Sequence, residues 1–440
     1  MITEKKRREC FVATSLLLLL LSVIGCTSSP NQKKEESKEK TKIKIAWWGG
    51  SERQETTKQI LDLYEKEHEE ISFEVLSTDW DGYFDKLAIQ AASGEMPDIV
   101  QMDYMYITTY TQNRSLTDLS SYIEKGIIDV SQIDETLLAT GKVDEKITGI
   151  PLSVNIMATG CNPSLFKEAG LLLPEGEWTW EEFRKMTKQI YDKTGKWGAV
   201  ISPVEDVNIL QCWVRQHGQE LFRADYQGLD CQNETLSDYL DFFHELMGSG
   251  ALPGPDEYAK IQTLGQERGP MVTKNAAMIL EWNNYAVKVE AYNDEICMFP
   301  MPVLKKQGKS GLWQKPGMFF SISDTSEVKK ECAEFINWFI NSKEANEIMH
   351  GERGVPASLE IREYLLNSGK LSHQQQEMYA YINQQESVCG KTPPPDPRGL
   401  GEINDVFKDT AYEVFYGQSS SIDAVKKFRA KAEKILKENN

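Results

Sequence analysis

Residues 43–54 read Ile-Lys-Ile-Ala-Trp-Trp-Gly-Gly-Ser-Glu-Arg-Gln, and this stretch decides the fold. Ile43 to Ala46 alternate as a buried strand does, Trp47 and Trp48 extend the run, and Gly49-Gly50 ends it. Ser51 with Gln54 three residues later fits a capping box at the start of a helix. Strand, aromatic loop and helix start make the layout of a ligand site, because the first N–H groups of a helix have no partners inside it. Continued alternation places Trp47 in the core with Ile43 and Ile45. It turns Trp48 the other way, as an exposed ring beside Gly49.

Outward from this stretch the apolar spacing keeps alternating between two periods. Ile60, Leu63 and Tyr64 form a helical stripe, Ile71, Phe73 and Val75 a second strand, and Tyr83, Phe84, Leu87, Ala88 and Ala91 a helix stopped by Gly94. Asp98 to Met102 supplies a third strand, so the order β-α-β-α-β predicts a parallel sheet. At Gly149-Ile150-Pro151-Leu152 the chain changes character and crosses into a second lobe. There Thr179 and Glu182 form another capping box, Tyr239 to Met247 is helical, and Ala276 to Leu280 is a buried strand leading to Trp282. Ile296 to Leu304 reads as the extended return to the first lobe. Gly317 to Ser323 is a strand, Val328 to Ile340 a helix, and Gly351 to Pro356 a third crossing. Pro393-Pro394-Pro395 is a stiff extended piece, and Ala424, Val425, Phe428, Ala432 and Ile435 line a closing helix.

At 440 residues, 40% of them apolar, the chain has material for two domains. Residues 1–25 stand apart: Lys5, Lys6, Arg7 and Arg8 precede an apolar run from Phe11 to Ile24, too short to span a bilayer and suited to a signal peptide. Thr27 to Lys42 is wholly polar, a flexible tether of about 20–25 Å. Without residues 1–25 the net charge of −18 becomes −20, which argues against nucleic acid or anionic lipid as partners. Cys161, Cys212, Cys231, Cys297, Cys332 and Cys389 are too scattered for a disulfide scaffold and read as isolated thiols, with one or two bridges left open. The five histidines show no metal-ligand spacing, and neither a nucleophile elbow nor a phosphate-binding glycine loop is present.

Several motifs in fixed order carry a resemblance: IKIAWWGG at 43–50, GEMPDIVQMD at 94–103, GIPLSVN at 149–155, NPSLFKEAGL at 162–171, WTWEEF at 178–183 and GERGVP at 351–356. Together they resemble the carbohydrate-binding family of extracellular solute-binding proteins of bacterial ABC transporters, to which maltose-binding protein belongs. With the proline run they look most like receptors for pectin and rhamnogalacturonan fragments. The resemblance implies an α/β, two-lobe periplasmic-binding-protein-like fold of type II, each lobe a mainly parallel sheet flanked by helices, joined by a hinge. The lobes would be 43–150 plus 301–353 and 151–300 plus 354–440. Val23-Ile24-Gly25-Cys26 resembles a lipobox, which implies cleavage before Cys26 and a lipid anchor on its thiol, with 26–42 as lipidated tether on the outer face of the membrane. The implied partners are an oligosaccharide and two permease subunits. The chain would be monomeric, without cofactor or catalytic activity.

Sugars present C–H faces that stack on aromatic rings and hydroxyl rims that need directional hydrogen bonds. Trp48 is the stacking candidate, with Gly49 beside it; Trp80 and Trp282 also lie in loops after strands. Asp81, Asp103 and Tyr104 follow strands at the carboxyl edge of the sheet, although Asp81 equally suits a helix N-cap. By resemblance Asn155 reaches in from the hinge, and Trp282 with Asn283 forms the opposite wall, Asn283 being alternatively a turn residue. Arg53 and Arg353 are candidate partners for a sugar carboxylate, with Arg398 a further cation. For Arg353 the competing role is to tie the hinge to a neighbouring acid. Two rival functions share these residues: a glycoside-cleaving enzyme using Asp81 and Asp103, and a receptor for a polyamine boxed by acids and aromatics.

Overall fold

The computed structural model describes residues 40–80, 82–201, 203–204, 207–264 and 268–439; Cys26 and Asp81, and with them the leader and the lipidation site, lie outside these residues. In β1 (Thr41–Trp48) every residue from Ile45 to Trp48 is buried. Lys42 and Lys44 are exposed on the same face as Ala46 and Trp48, but at the carboxyl end of the strand Trp80, Tyr83 and Phe84 cover that face. The outward orientation expected for Trp48 is therefore corrected: both indoles are core. α1 (Ser51–Glu67) starts at Gly50 with no side-chain cap. The expected capping box at Ser51 and Gln54 is also corrected, since Gln54 Nε2 donates to the Gly49 carbonyl at 3.3 Å instead.

The parallel crossovers continue through β2 (Ile71–Thr78), α2 (Tyr83–Ser93) and β3 (Ile99–Met102), with Ile45 opposite both Val75 and Ile99. α3 (Tyr104–Gln112) follows at once, capped by the Asp103 carboxylate. The chain later returns as β4 (Ile150–Pro151), β5 (Ser153–Asn155) and β6 (Met157–Cys161). α4 (Trp180–Thr194) carries the expected capping box, Thr179 Oγ1 accepting from Glu182 N at 3.2 Å and Glu182 Oε2 accepting from Thr179 N at 2.7 Å. Then come β7 (Trp197–Ala199), α5 (Val207–Gln216), α6 (Asn233–Gly248), β8 (Ala276–Trp282) and β9 (Cys297–Phe299). β10 (Lys315–Pro316), β11 (Phe319–Ile322), α7 (Lys329–Asn341), α8 (Lys343–Met349), β12 (Val355–Pro356), α9 (His373–Gln385), α10 (Leu400–Phe415) and α11 (Ser421–Asn439) complete the elements used below.

Two sheets define two lobes. The first has the order β2-β1-β3-β11-β4; its first three strands are parallel, and β11 runs antiparallel to both β3 and β4. α7 packs back onto it and α8 onto α1, with Phe335 4.8 Å from Phe73 and 5.0 Å from Tyr64 between ring centroids. The second has the order β9-β6-β8-β7, with β7 and β8 its parallel pair and the rest antiparallel. α4 covers this sheet, α9 packs on β9, and α6, α10 and α11 pack on one another.

Between the sheets, β5 pairs antiparallel with both β10 and β12. This small sheet joins the three segments that pass from one lobe to the other. The return passes through β10, whereas the extended run from Ile296 forms β9 inside the second sheet, and Val303 and Leu312 still bond to Trp178 and Gly390 there. Close packing holds the junction: Gly317 N donates to Ser153 O at 3.0 Å, and Ser153 Oγ donates to Arg353 O. A Cβ on Gly317 would stand 2.2 Å from Ser153 Oγ and would force that hydroxyl off its bond to Arg353 O. Among the described residues the six cysteines are unpaired thiols, and burial pushes the pKa of Cys212 and Cys389 up to about 12.

Candidate functional site

An aromatic wall grows directly from β1. The buried Trp48 ring is the base, contacted edge-on by Trp80 at 5.1 Å and by Tyr83 at 5.3 Å, with Phe84 at 5.5 Å. Phe84 stacks on Tyr106 at 3.8 Å, and Trp80 lies 6.4 Å from Tyr106. Trp80 alone in this group is largely open, at 43% exposure against 7% for Trp48. The face available for stacking is that of Trp80, held in place by Trp48 from behind.

A cavity of about 810 Å³ opens beside this wall. Tyr106, Thr109 and Gln112 of α3 line one side, and Tyr226, Arg398 and Asn404 the other, so it lies between elements of the two lobes. A larger cavity of about 1100 Å³ lies elsewhere, among Arg215, Met298, Leu312, Tyr381 and Cys389. It draws on residues packed with the second sheet and none from the first. A ligand that holds two lobes together must touch both, which favours the smaller cavity.

Lys315 links two of the candidates: its charge acts on the Asp103 carboxyl, and its ammonium lies over the Trp282 ring. Asp103 Oδ1 accepts from Met105 N at 2.9 Å. Burial raises the Asp103 carboxyl pKa, opposed by that N–H and by the charge of Lys315. Lys315 Nζ stands 4.8 Å from the Trp282 ring centroid, a cation–π contact, and Trp313 meets Trp282 edge-on at 6.0 Å. Asn155 is the register partner of Lys315, and its Oδ1 has no hydrogen-bond partner. Lys315 thus has an aromatic face over its ammonium and an amide as its register partner, and its charge reaches the Asp103 carboxylate. Lys315 was absent from the sequence-based candidates because its two-residue strand carries no apolar pattern.

The other candidates are engaged elsewhere. Arg53 Nε donates to both oxygens of Glu352 at 2.7 and 3.0 Å, and its NH1 donates to Trp48 O at 3.2 Å. Arg353 is buried, its NH2 donating to Thr57 Oγ1 at 2.7 Å and its Nε to Gln101 Oε1 at 3.3 Å. Burial, followed by the like charge of Arg53, lowers the Arg353 pKa to about 9 against the pull of Glu352, so the group remains a cation at neutral pH. Both arginines tie α1 to the 351–356 crossing: Arg53 is committed to Glu352, and Arg353 holds the hinge role that competed with its reading as a carboxylate ligand. Gly49 has the same structural purpose: a Cβ there would stand 2.4 Å from Arg53 Cδ. Asn283 is wholly buried in the turn after β8, its Oδ1 accepting from Ile156 N at 2.9 Å, which is the turn role that competed with its reading as cleft wall. Tyr104 Oη donates to Pro393 O at 2.5 Å.

Two lobes, three connecting segments and an aromatic cleft between them define a solute-binding protein of the hinged class. The chain belongs to the bacterial extracellular solute-binding protein family, whose profile matches residues 49–346. It is similar to the multiple sugar-binding protein of Streptococcus mutans, 27% identical over 180 residues, a match spanning 39% of this chain and 40% of that protein. A solved extracellular solute-binding protein family 1 structure from Alicyclobacillus acidocaldarius is 26% identical, with a TM-score of 0.78 over 91% of this chain and 100% of its own. A periplasmic oligogalacturonide binding protein from Yersinia enterocolitica shares the fold at 24% identity and a TM-score of 0.76, over 91% and 100% of the two chains. Among the described residues no helix is long and apolar enough to cross a membrane, and no cluster of ligating side chains could hold a metal.

Proposed function

We propose that this protein is the receptor of an ABC importer, capturing an oligosaccharide by closing its lobes and passing it to two permease subunits. The observation that carries the sugar reading is the Trp80 face set on Trp48 and flanked by Tyr106, beside a cavity lined by Thr109, Gln112 and Asn404. Flat apolar faces beside short hydroxyl and amide groups match the two surfaces of a sugar. The similarity to the sugar-binding protein of Streptococcus mutans supports the same class. In this reading the hinge is β5, β10 and β12. The first lobe comprises residues up to the crossing at 150–155 together with the segment between β10 and β12.

The chemistry at the cleft assigns roles. Trp80 and Trp282 stack on sugar faces, while Asp103 and Asn155 accept hydroxyl hydrogens. Lys315 and Arg398 are the cations that would meet a carboxylate on a pectin-derived sugar, since Arg53 and Arg353 are already committed. Anchoring would come from lipid on Cys26, with the polar residues up to Lys42 as tether, placing the receptor on the outer face of the membrane. Calorimetry against a panel of neutral oligosaccharides, oligogalacturonides and spermidine tests the proposal. Micromolar or tighter binding of an oligosaccharide is expected. Binding of spermidine with no response to any sugar would replace the sugar receptor by a polyamine receptor.

A further inference from the structure

An extended proline run makes no hydrogen bonds within itself, so Pro393-Pro394-Pro395 presents its carbonyl groups as acceptors. Two of them take tyrosine hydroxyls: Tyr104 Oη donates to Pro393 O at 2.5 Å, and Tyr226 Oη donates to Pro395 O. The preceding residues are tied down almost one by one. Ser310 Oγ donates to Val388 O at 2.7 Å, Gly390 N to Leu312 O at 2.8 Å, and Arg215 NH2 to Lys391 O at 2.5 Å. Thr392 Oγ1 donates to Gln314 O at 2.8 Å. Residues 388–398 thus form a strap whose far end carries Arg398 into the wall of the cleft cavity.

All but one of these anchors lie in segments packed with the second sheet or leading from it into β10. Tyr104 is the exception. It opens α3 directly behind β3 of the first sheet, and its ring lies 6.2 Å from that of Phe319 in β11. Burial holds its hydroxyl far above the ordinary tyrosine pKa, so it stays a donor across the physiological range.

We infer that Tyr104 is a positioning residue: through Pro393 it latches the 388–398 strap to the first lobe and biases the cleft toward closure. The inference rests on the two-lobe closure proposed above and adds a contact that opening must break. When the lobes part, α3 leaves with the first sheet and the strap stays with the second. The Tyr104 bond separates, and the Tyr226 bond, made within the second lobe, is kept.

The test uses the full chain without any ligand, so its outcome is independent of which solute binds. Tyr104→Phe keeps the ring against Phe319 and removes only the hydroxyl. Hydrogen exchange and small-angle scattering are compared for the wild type, Tyr104→Phe and Tyr226→Phe, with thermal unfolding as a check on folding. In Tyr104→Phe, the amides of Lys391, Thr392, Asp396 and Arg398 are expected to exchange up to about tenfold faster, with a larger radius of gyration, as loss of one hydrogen bond of ordinary strength implies. Tyr226→Phe is expected to loosen the strap at an unchanged radius. Wild-type exchange in Tyr104→Phe, or faster exchange at a wild-type radius, would overturn the latch.

Discussion

Trp48→Ala and Trp80→Ala are expected to separate cleanly, the first lowering stability and the second affinity. Trp48 is buried at the end of β1 against three other aromatic rings. Truncating it leaves a cavity in a core that relaxes only in part, at a cost of about 3–5 kcal/mol. Trp80 is 43% exposed and contributes less to that core. If bound sugar covers about 80 Å² of its ring, the lost contact is roughly 2 kcal/mol, or about 30-fold in Kd. Denaturant unfolding and calorimetry on the two variants check both halves. A Trp80→Ala variant with unchanged affinity for the ligand would remove the stacking platform from the site.

Glu352→Gln is expected to be the most damaging single change at the hinge. Glu352 lies between two cations, at 2.7 Å from Arg53 Nε and 3.5 Å from Arg353 NH1, and the Arg353 side chain is completely enclosed. An amide keeps the shape but removes the only negative charge seen against these two guanidinium groups among the described residues. Breaking a buried pair by removing one partner costs about 3–5 kcal/mol, because the remaining charge stays desolvated. Thermal and denaturant unfolding should both show the loss. Preserved stability combined with altered preference for acidic over neutral sugars would instead return Arg53 to the ligand site.

The order of β1 to β3 was readable from residues 43–102 because period-two and period-3.6 apolar patterns alternate there without interruption. The crossings at Gly149 and Gly351 were readable for a similar reason: a glycine and a proline flank a short apolar run. The return crossing was not, since β10 is two residues long and carries a lysine and a proline, while the more strand-like run after Ile296 belongs inside the second sheet. Alternation misplaces Trp48 because the face that is wet at Lys42 and Lys44 is covered at Trp48 by Trp80, Tyr83 and Phe84, which come from later in the chain. Arg53 and Glu352 are 299 positions apart, and Tyr104 and Pro393 are 289 apart. No local pattern encodes such contacts. Trp80, Asp103, Asn155 and Trp282 could be proposed from the sequence because each sits next to a strand end or crossing, where the fold brings loops together. What sets Asn155 and Trp282 beside Lys315 is the three-stranded junction, which only the folded chain displays.

Closure of the lobes around a sugar is most directly tested by small-angle scattering on the protein alone and with a saturating amount of the oligosaccharide that calorimetry selects. Ligand held by both lobes shifts the population toward the compact state. A smaller radius of gyration in the presence of that sugar is expected. Tight binding with an unchanged radius would contradict capture by closure.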